Sequence, residues 1–355
     1  MKKTLKTLCV IPALVAAALA LTVSGAYAAD RNSVKMTGEY HSRSVYGPSL
    51  SSGELDDVAD AVAAFLNEYI VEGMTDQQKV RAACGFISTT CTYAESWAQN
   101  RANTAWGSLV YHEAQCSGYA RGFKALCDGM GIGCFYVHAD DYSRNPDHQW
   151  NVVCIDGNWY IIDTQSISSS GIAGVIFSYL VSDDDYLSSG LSWDRSSVPA
   201  CPEAYYKRED RLTSFMNDII QYIISDTEEI FVNGQPKTVT VYNISGNNYI
   251  KLRDIAAMTD GTGDSFNVVP DIVNGILWID TKTPYTFVGG ELNAQADVKG
   301  VLNPVNMSSF RVDGIEYAPK GYNIRNNNYY KLRDIGEIIG FDVDWNGSNV
   351  IITTK

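Results

Sequence analysis

The chain has 355 residues, with 27 basic and 41 acidic side chains and a formal net charge of -14 at pH 7. An acidic chain repels phosphate backbones, which excludes nucleic acid as an expected partner. Hydrophobic residues make up 45 % of the chain and 22 residues are tyrosine, a composition that excludes a disordered protein and is typical of a globular one.

The first 28 residues carry the pattern of a secretory signal. Lysines cluster in the first six positions, an apolar run continues to about Val23, and residues 26–28 (AYA) offer a small-residue cleavage site. No later stretch is long and apolar enough to span a bilayer. We therefore expect a secreted or cell-surface protein without a membrane span after signal removal.

Hydrophobic periodicity and turn signals predict three helices and then three strands after a polar leader. Thr75 is the predicted N-cap of the second helix, and glycines at 129, 131 and 133 end the third. The predicted helices are 53–70, 76–90 and 117–130, and the predicted strands are 134–139, 149–155 and 158–164.

A two-residue turn at Asp156-Gly157 is a strong hairpin signal and fixes the register of the last two strands. It places His148 opposite Gln165 and Trp150 opposite Asp163. His148 and Asp163 then share one face of the sheet as diagonal neighbours, roughly 7–8 Å apart at Cβ. A slip of one residue would move them to opposite faces, so the prediction of an imidazole–carboxylate pair depends on this turn.

Cys116 directly precedes the predicted third helix, and at a helix start unpaired backbone N–H groups and the helix dipole favour a thiolate. A thiol, an imidazole and a carboxylate in this order are the parts of a cysteine-nucleophile triad. We predict Cys116 as the nucleophile, His148 as the base and Asp163 as its orienting partner. The Cys116 N–H is the predicted first oxyanion donor, and Trp106 and Gln115 are candidates for the second.

The other cysteines allow two interpretations. Cys9 lies in the signal; of the remaining seven, six could pair in an oxidising exterior and leave one reactive thiol. Alternatively, most are buried free thiols that act as small hydrophobes. No C-x-x-C pair occurs and the histidines are not spaced as metal partners, so we expect no metal and no cofactor.

The second half of the chain contains an internal repeat. Residues 242–255 (YNISGNNYIKLRDI) recur at 322–335 (YNIRNNNYYKLRDI), and the two segments are identical at 11 of 14 positions. Before the repeat, an acidic triplet at 183–185 predicts a solvated turn, and an apolar face over about 207–225 predicts a helix. The predicted organisation is a signal (1–28), a leader (29–52), a first domain (53–207), a helical linker (208–227) and a duplicated domain (228–355, with units at about 228–292 and 308–355).

The first domain resembles the bacterial transglutaminase-like superfamily over about residues 50–207. Four motifs carry the resemblance, and they are residues 105–110 (AWGSLV), 116–120 (CSGYA), 148–151 (HQWN) and 157–163 (GNWYIID). The resemblance implies a papain-like α+β fold with Cys116, His148 and Asp163 as the catalytic residues. One departure is that TQS follows the aspartate, where the family usually has a tryptophan close by.

The duplicated domain is similar to the copper amine oxidase N-terminal-like domain, a small α+β module, through the N-x-Y-x-K-L-R-D-I signature at 247–255 and 327–335. This domain contains no histidine or cysteine, so we predict no copper site and expect it to bind the cell wall or another surface protein. The predicted function is thiol-dependent acyl transfer on a peptide or protein substrate, hydrolysis rather than cross-linking. The alternative is a non-catalytic surface or adhesion protein that uses its transglutaminase-like fold only for binding.

Overall fold

The computed structural model describes residues 45–96, 101–218, 220–271, 273–305 and 310–355. The predicted signal and most of the predicted leader lie outside these ranges. Tertiary contacts divide the described residues into two compact units, one formed by 45–70 and 75–218 and the other by 71–74 and 220–355. The exact domain boundaries drawn from the sequence stay a prediction.

Two capped helices begin the first unit. Helix α1 covers Ser52–Tyr69 and α2 covers Asp76–Thr90. Ser51 and Thr75 each close a capping box, in which the hydroxyl accepts from the third helical N–H and that residue's side chain accepts from the cap N–H. The predicted N-cap at Thr75 and the bounds of its helix are confirmed.

Helix α3, Cys116–Met130, lies at the centre of this unit and is buried along almost its whole length. It packs against α1 and α2 and follows a π-helical turn at Gly107–Tyr111 and two short parallel strands, β1 (Thr92–Tyr93) and β2 (Glu113–Ala114). The backbone of α3 comes so close to the backbone at Ala102 that residue 118 must be glycine, because a Cβ at Gly118 would lie 2.3 Å from the Ala102 carbonyl oxygen. The helix ends at Gly131 with φ 72°, as the glycines in the sequence predict.

An antiparallel sheet in the order β3-β4-β5 packs against α3. The strands are β3 (Cys134–His138), β4 (Gln149–Ile155) and β5 (Asn158–Ile162). Ile155 pairs with Asn158, and both turn residues have positive φ (51° at Asp156 and 81° at Gly157). The predicted two-residue turn and register are therefore confirmed.

Short helices complete the first unit, and two predictions here are wrong. The helices are α4 (Thr164–Ser170), α5 (Ile172–Ser178), α6 (Asp183–Ser188) and α7 (Arg211–Asn217). The acidic triplet is not a solvated turn, because Ser182 caps α6 at this point and Asp183 is buried against Arg195. The predicted linker helix is limited to α7, since Tyr222–Ile224 instead forms strand β6, which pairs with Lys299–Val301 (β12) in the second unit.

The second unit places the two repeat copies in equivalent structures. The first copy contains β7 (Asp226–Val232), β8 (Gln235–Ile244), β9 (Asn247–Lys251), α8 (Leu252–Thr259), β10 (Asn267–Asp271) and β11 (Ile276–Asp280). After β12 and β13 (Asn303–Pro304), the second contains β14 (Phe310–Val312), β15 (Ile315–Tyr317), β16 (Gly321–Ile324), β17 (Asn327–Lys331), α9 (Leu332–Ile339), β18 (Asp342–Trp345) and β19 (Val350–Thr353).

The two copies exchange strands. The last strand of the first copy, β11, pairs in parallel with β14, the first strand of the second copy. Reciprocally, β19 pairs in parallel with β7, and β9 and β17 pair with each other in antiparallel fashion. Each copy therefore completes the sheet of the other, which explains why the repeats form one folded body. Among the described helices, none combines the length and apolar character needed to cross a bilayer.

Candidate active site

The three residues predicted as a triad are held at the ends of three elements of the first unit. Cys116 is the first residue of α3, His148 immediately precedes β4, and Asp163 follows β5 as the N-cap of α4. The α3–β4 packing and the β4–β5 hairpin bring these ends to one place.

The imidazole of His148 is fixed by the Asp163 carboxylate. His148 Nε2 lies 2.7 Å from Asp163 Oδ2, and only 8 % of the His148 residue and 2 % of Asp163 are exposed. Asp163 also accepts from the backbone N–H of Ser166 at 3.0 Å through Oδ1 and from the Tyr186 hydroxyl at 2.9 Å through Oδ2. Three donors therefore fix the position of this buried carboxylate.

The Cys116 thiol lies within hydrogen-bonding reach of the same imidazole. Since Nε2 is occupied by Asp163, Nδ1 is the ring nitrogen left for the thiol. The Cys116 sulfur lies 3.6 Å from the Asp147 carbonyl oxygen, next to His148 in the chain, and its side chain is a free, partly exposed thiol.

Electrostatics in the site favour a protonated imidazole. Burial disfavours the imidazolium, but the charge of Asp163, its hydrogen bond and the neighbouring Cys116 outweigh burial and raise the pKa of His148 from 6.5 to about 10. At neutral pH the ring is therefore a cation between a carboxylate and a sulfur. Such a ring can stabilise a thiolate and donate a proton to a leaving group.

Aromatic side chains hold the imidazole plane. Trp150 stacks on the His148 ring with centroids 5.8 Å apart and an interplanar angle of 29°. Trp193 and Tyr186 in turn pack against Trp150, which is buried. Trp150 is therefore a core residue that supports the imidazole from behind.

Tyr186 is the main site residue that the sequence did not reveal. It lies on α6, is 1 % exposed, and donates to the carboxylate that orients His148. Burial and the nearby Asp163 hold its pKa well above the ordinary value, so its hydroxyl remains a donor. The sequence does contain a local signal for α6, the capping pair Ser182 and Asp185, but nothing local connects Tyr186 with Asp163.

The candidates for a second oxyanion donor have different environments. The backbone N–H of Cys116 lies in the first turn of α3, where N–H groups have no acceptor within the helix. The single indole N–H of Trp106 donates to Asp57 Oδ2 at 3.0 Å and is therefore engaged. Gln115 directly precedes Cys116, and its side chain makes no capping hydrogen bond.

A cavity of about 440 Å³ opens beside the imidazole and the carboxylate. Its walls come from the loop before β4 and from α4, α5 and α6, and they include His148, Asp163 and Tyr186. Cys116 is close to this cavity without lining it. The cavity can therefore hold a part of a substrate adjacent to the atoms that react.

The cysteines of the described chain are free thiols, as the second of the two interpretations predicts. Burial raises the pKa of Cys84 to about 11 and that of Cys91 to about 12, so these thiols stay protonated at neutral pH. Cys154 is the other partly exposed thiol of the described ranges. Within those ranges no cluster of three or more His, Cys, Asp or Glu side chains is placed to hold a metal ion.

Comparison with known families places the site in a recognised domain. The family model of the transglutaminase-like superfamily matches residues 63–164, a range that contains Cys116, His148 and Asp163. The first unit therefore contains a transglutaminase-like domain, and the predicted α+β, transglutaminase-like fold class is confirmed. At the level of the superfamily, the match supports a cysteine-type enzyme.

Curated relatives are larger proteins. The chain is 25 % identical over 249 residues to the kyphoscoliosis peptidase of Homo sapiens, a match to 61 % of this chain and 36 % of that protein. It is 25 % identical over 120 residues to the Mus musculus kyphoscoliosis peptidase, covering 30 % of this chain and 18 % of that protein. The chain thus spans about a third or less of the length of these relatives.

Two solved structures show a similarity to part of the chain. One is from Cytophaga hutchinsonii and is provisionally described as a cysteine protease, with 20 % identity over 33 % of this chain and 43 % of that chain and a TM-score of 0.25. The other is a TGase with 14 % identity over 33 % of each chain and a TM-score of 0.26.

Proposed function

We propose that the first unit is a thiol-dependent acyl-transfer enzyme that hydrolyses peptide or protein amides. The observation that carries the proposal is the buried imidazole of His148, fixed by Asp163 at 2.7 Å and facing Cys116 at the start of α3. The name of the curated relatives, which are peptidases, supports the choice of a peptide amide as the substrate.

The chemistry proceeds in two steps. The Cys116 thiolate attacks the amide carbonyl carbon, and the Cys116 backbone N–H stabilises the oxyanion that forms. The His148 imidazolium donates a proton to the leaving amine as the carbon–nitrogen bond breaks, which leaves a thioester on Cys116. The neutral imidazole then takes a proton from water, whose oxygen attacks the thioester and releases the carboxylic acid and the thiolate.

Asp163 and Tyr186 act through His148 in this scheme. The carboxylate stabilises the imidazolium and holds the ring so that Nδ1 faces the sulfur. The Tyr186 hydroxyl fixes the oxygen atom that bonds Nε2. Water is the default acceptor because it is the most abundant nucleophile at a partly exposed thiol, so we propose hydrolysis in preference to cross-linking.

The proposed location is the exterior of a bacterial cell or its surface. The signal pattern of the first 28 residues supports export. We assign the duplicated unit, which is similar to the copper amine oxidase N-terminal-like domain, to attachment of the enzyme to the cell wall or to another surface protein.

Trapping the thioester tests the proposal. Wild-type protein, Cys116→Ser and Cys154→Ser are mixed with a fluorogenic peptide library and examined by intact mass spectrometry after rapid acid quench. The expected result is cleavage and an acyl adduct on Cys116 in wild type and in Cys154→Ser, with no thioester in Cys116→Ser. Peptide binding without cleavage or an adduct in folded, reduced wild-type protein would instead support the non-catalytic binding protein.

A further inference from the structure

The cavity beside the imidazole has an unusual lining. Five of its residues are serines, and Gln165 and Asn145 add two amides. Apolar surface also lines the cavity, from residues that include Phe177, Ala173 and Leu191. The hydroxyl and amide groups give a ligand with hydrogen-bond acceptors several partners in the cavity.

The charged residues that line the cavity carry a net positive charge. Arg144 and the imidazolium of His148 are cations, and Asp163 is the single carboxylate. That carboxylate is already engaged by three donors, so it does not neutralise Arg144. The cavity therefore presents one uncompensated guanidinium in a chain whose formal net charge is -14.

Arg144 is positioned at the cavity by its neighbours. Its backbone N–H donates to the Gly190 carbonyl oxygen at 2.8 Å. A Cβ at residue 190 would lie 3.4 Å from Arg144 Cβ and 3.6 Å from Cδ, so the stem of the arginine passes over this glycine. Among the described residues, none forms an ion pair with Arg144. The guanidinium keeps its full set of donors for a ligand.

We infer that this cavity is a subsite for a carboxylate carried by the substrate next to the scissile amide, with Arg144 as the residue that determines specificity. The fork of N–H donors on arginine matches the two oxygens of a carboxylate, and the serine hydroxyls of α4 supply further donors. Cleavage next to the carboxylate rests on the proposed function, whereas binding of the carboxylate in the cavity does not. A glutamate side chain and a free C-terminal carboxylate present the same group, and the test separates them.

Matched substrates measure the preference. Fluorogenic peptides carry Glu or Gln on either side of the scissile amide, or end in a free carboxylate or a carboxamide one residue beyond it. Each pair is assayed with wild type, Arg144→Ala, Arg144→Lys and Lys207→Ala. Lys207 is exposed and outside the lining, so it controls for the loss of one positive charge.

The expected result is a kcat/KM for one carboxylate substrate that exceeds that of its neutral isostere by about 10- to 100-fold in wild type, the range for hydrogen bonds to a charged group. Arg144→Ala abolishes this ratio, because it slows cleavage of the carboxylate peptide far more than cleavage of its neutral isostere. Arg144→Lys keeps part of the ratio, because lysine supplies the positive charge without the paired N–H donors of the guanidinium. Lys207→Ala keeps all of it. The pair that shows the ratio identifies the source of the carboxylate.

Peptide binding to the Cys116→Ala variant tests the subsite without catalysis. It is measured by fluorescence anisotropy with the same labelled peptides. The subsite is supported if Cys116→Ala binds the carboxylate peptide more tightly than the neutral one and the Cys116→Ala, Arg144→Ala double variant does not. This result supports the subsite even if wild type cleaves no peptide, because absence of cleavage rejects only the proposed function. Equal cleavage and equal binding of carboxylate and neutral peptides overturn the inference and leave the proposed function standing. An equal loss for both peptides in Arg144→Ala also overturns it, because the arginine is then structural.

Discussion

Replacing Asp163 with asparagine removes the main influence that keeps the His148 imidazole protonated. The asparagine side chain has the same size but neither the charge nor the carboxylate acceptor, and the burial that remains disfavours the cation. The neighbouring Cys116 still raises the pKa of His148, so we expect the pKa to fall from about 10 toward its ordinary value of 6.5. A full drop to 6.5 corresponds to about 5 kcal/mol of lost stabilisation of the imidazolium, as an order of magnitude.

The assay is an NMR titration of the histidine ring protons, with the His148 signals assigned by their loss in His148→Gln. Asp147→Asn is the matched control, because it removes the same charge from the neighbouring exposed residue. Wild type and the control are expected to stay protonated until about pH 10, and Asp163→Asn is expected to be neutral at pH 8. An unchanged titration in Asp163→Asn, or an equal fall in the Asp147 control, would refute the reasoning.

The same substitution affects the rate. A neutral imidazole has no proton for the leaving amine, so amide hydrolysis by Asp163→Asn is expected to be slower by about 10²- to 10⁴-fold, the range for general acid–base catalysis. Protein that folds normally and hydrolyses at the wild-type rate would show that the carboxylate does not take part.

Two further substitutions and a rise in pH are predicted to change the free energy of unfolding, each measured by chemical denaturation. Tyr186→Phe removes a buried hydrogen-bond donor to a carboxylate and should lower the free energy of unfolding by about 1.5–3 kcal/mol. Tyr142→Phe, at a 94 % exposed position, should leave it unchanged. Equal stabilities of the two variants would contradict the buried hydrogen bond. Gly118→Ala should lower the free energy of unfolding by about 1–3 kcal/mol or more, because the added methyl group overpacks the site. Gly53→Ala should be neutral or stabilising, since a Cβ there meets nothing within 4 Å. A larger loss of stability in Gly53→Ala than in Gly118→Ala would contradict the packing. The folded state holds the His148 proton from pH 6.5 to about 10, so wild type should lose about 1.4 kcal/mol per pH unit across this window and keep the full contribution below it. His148→Gln should lack this slope, and an identical pH dependence in the variant rules the linkage out.

Local signals were sufficient for much of the first unit. The Thr75 capping box determines where α2 begins, and the Asp156-Gly157 turn determines the register that places His148 and Asp163 on one sheet face. In both cases a few adjacent residues set the backbone geometry, and the alternatives are sterically poor.

Features that depend on distant residues were missed. Residues 222–224 end a segment with a helical pattern of apolar residues, but they pair with β12 more than 70 positions later, and the sequence carries no signal for that partner. Likewise, Tyr186 contacts Asp163 across α4 and α5, two helices of seven residues that are too short to show strong periodicity. The exchange of strands between the repeat copies is also a long-range choice, although the repeat itself is visible in the sequence.

The central claim is that Cys116 is activated by His148, and thiol labelling tests it most directly. Reduced, folded protein is treated at neutral pH with a peptidyl epoxide, and the modified residue is mapped by mass spectrometry in wild type and in His148→Ala. We expect rapid labelling of Cys116 in wild type, slow labelling of the partly exposed Cys154, and loss of this difference in rate in His148→Ala. Equal rates at the two thiols in wild type, or rapid labelling of Cys116 without the imidazole, would contradict it.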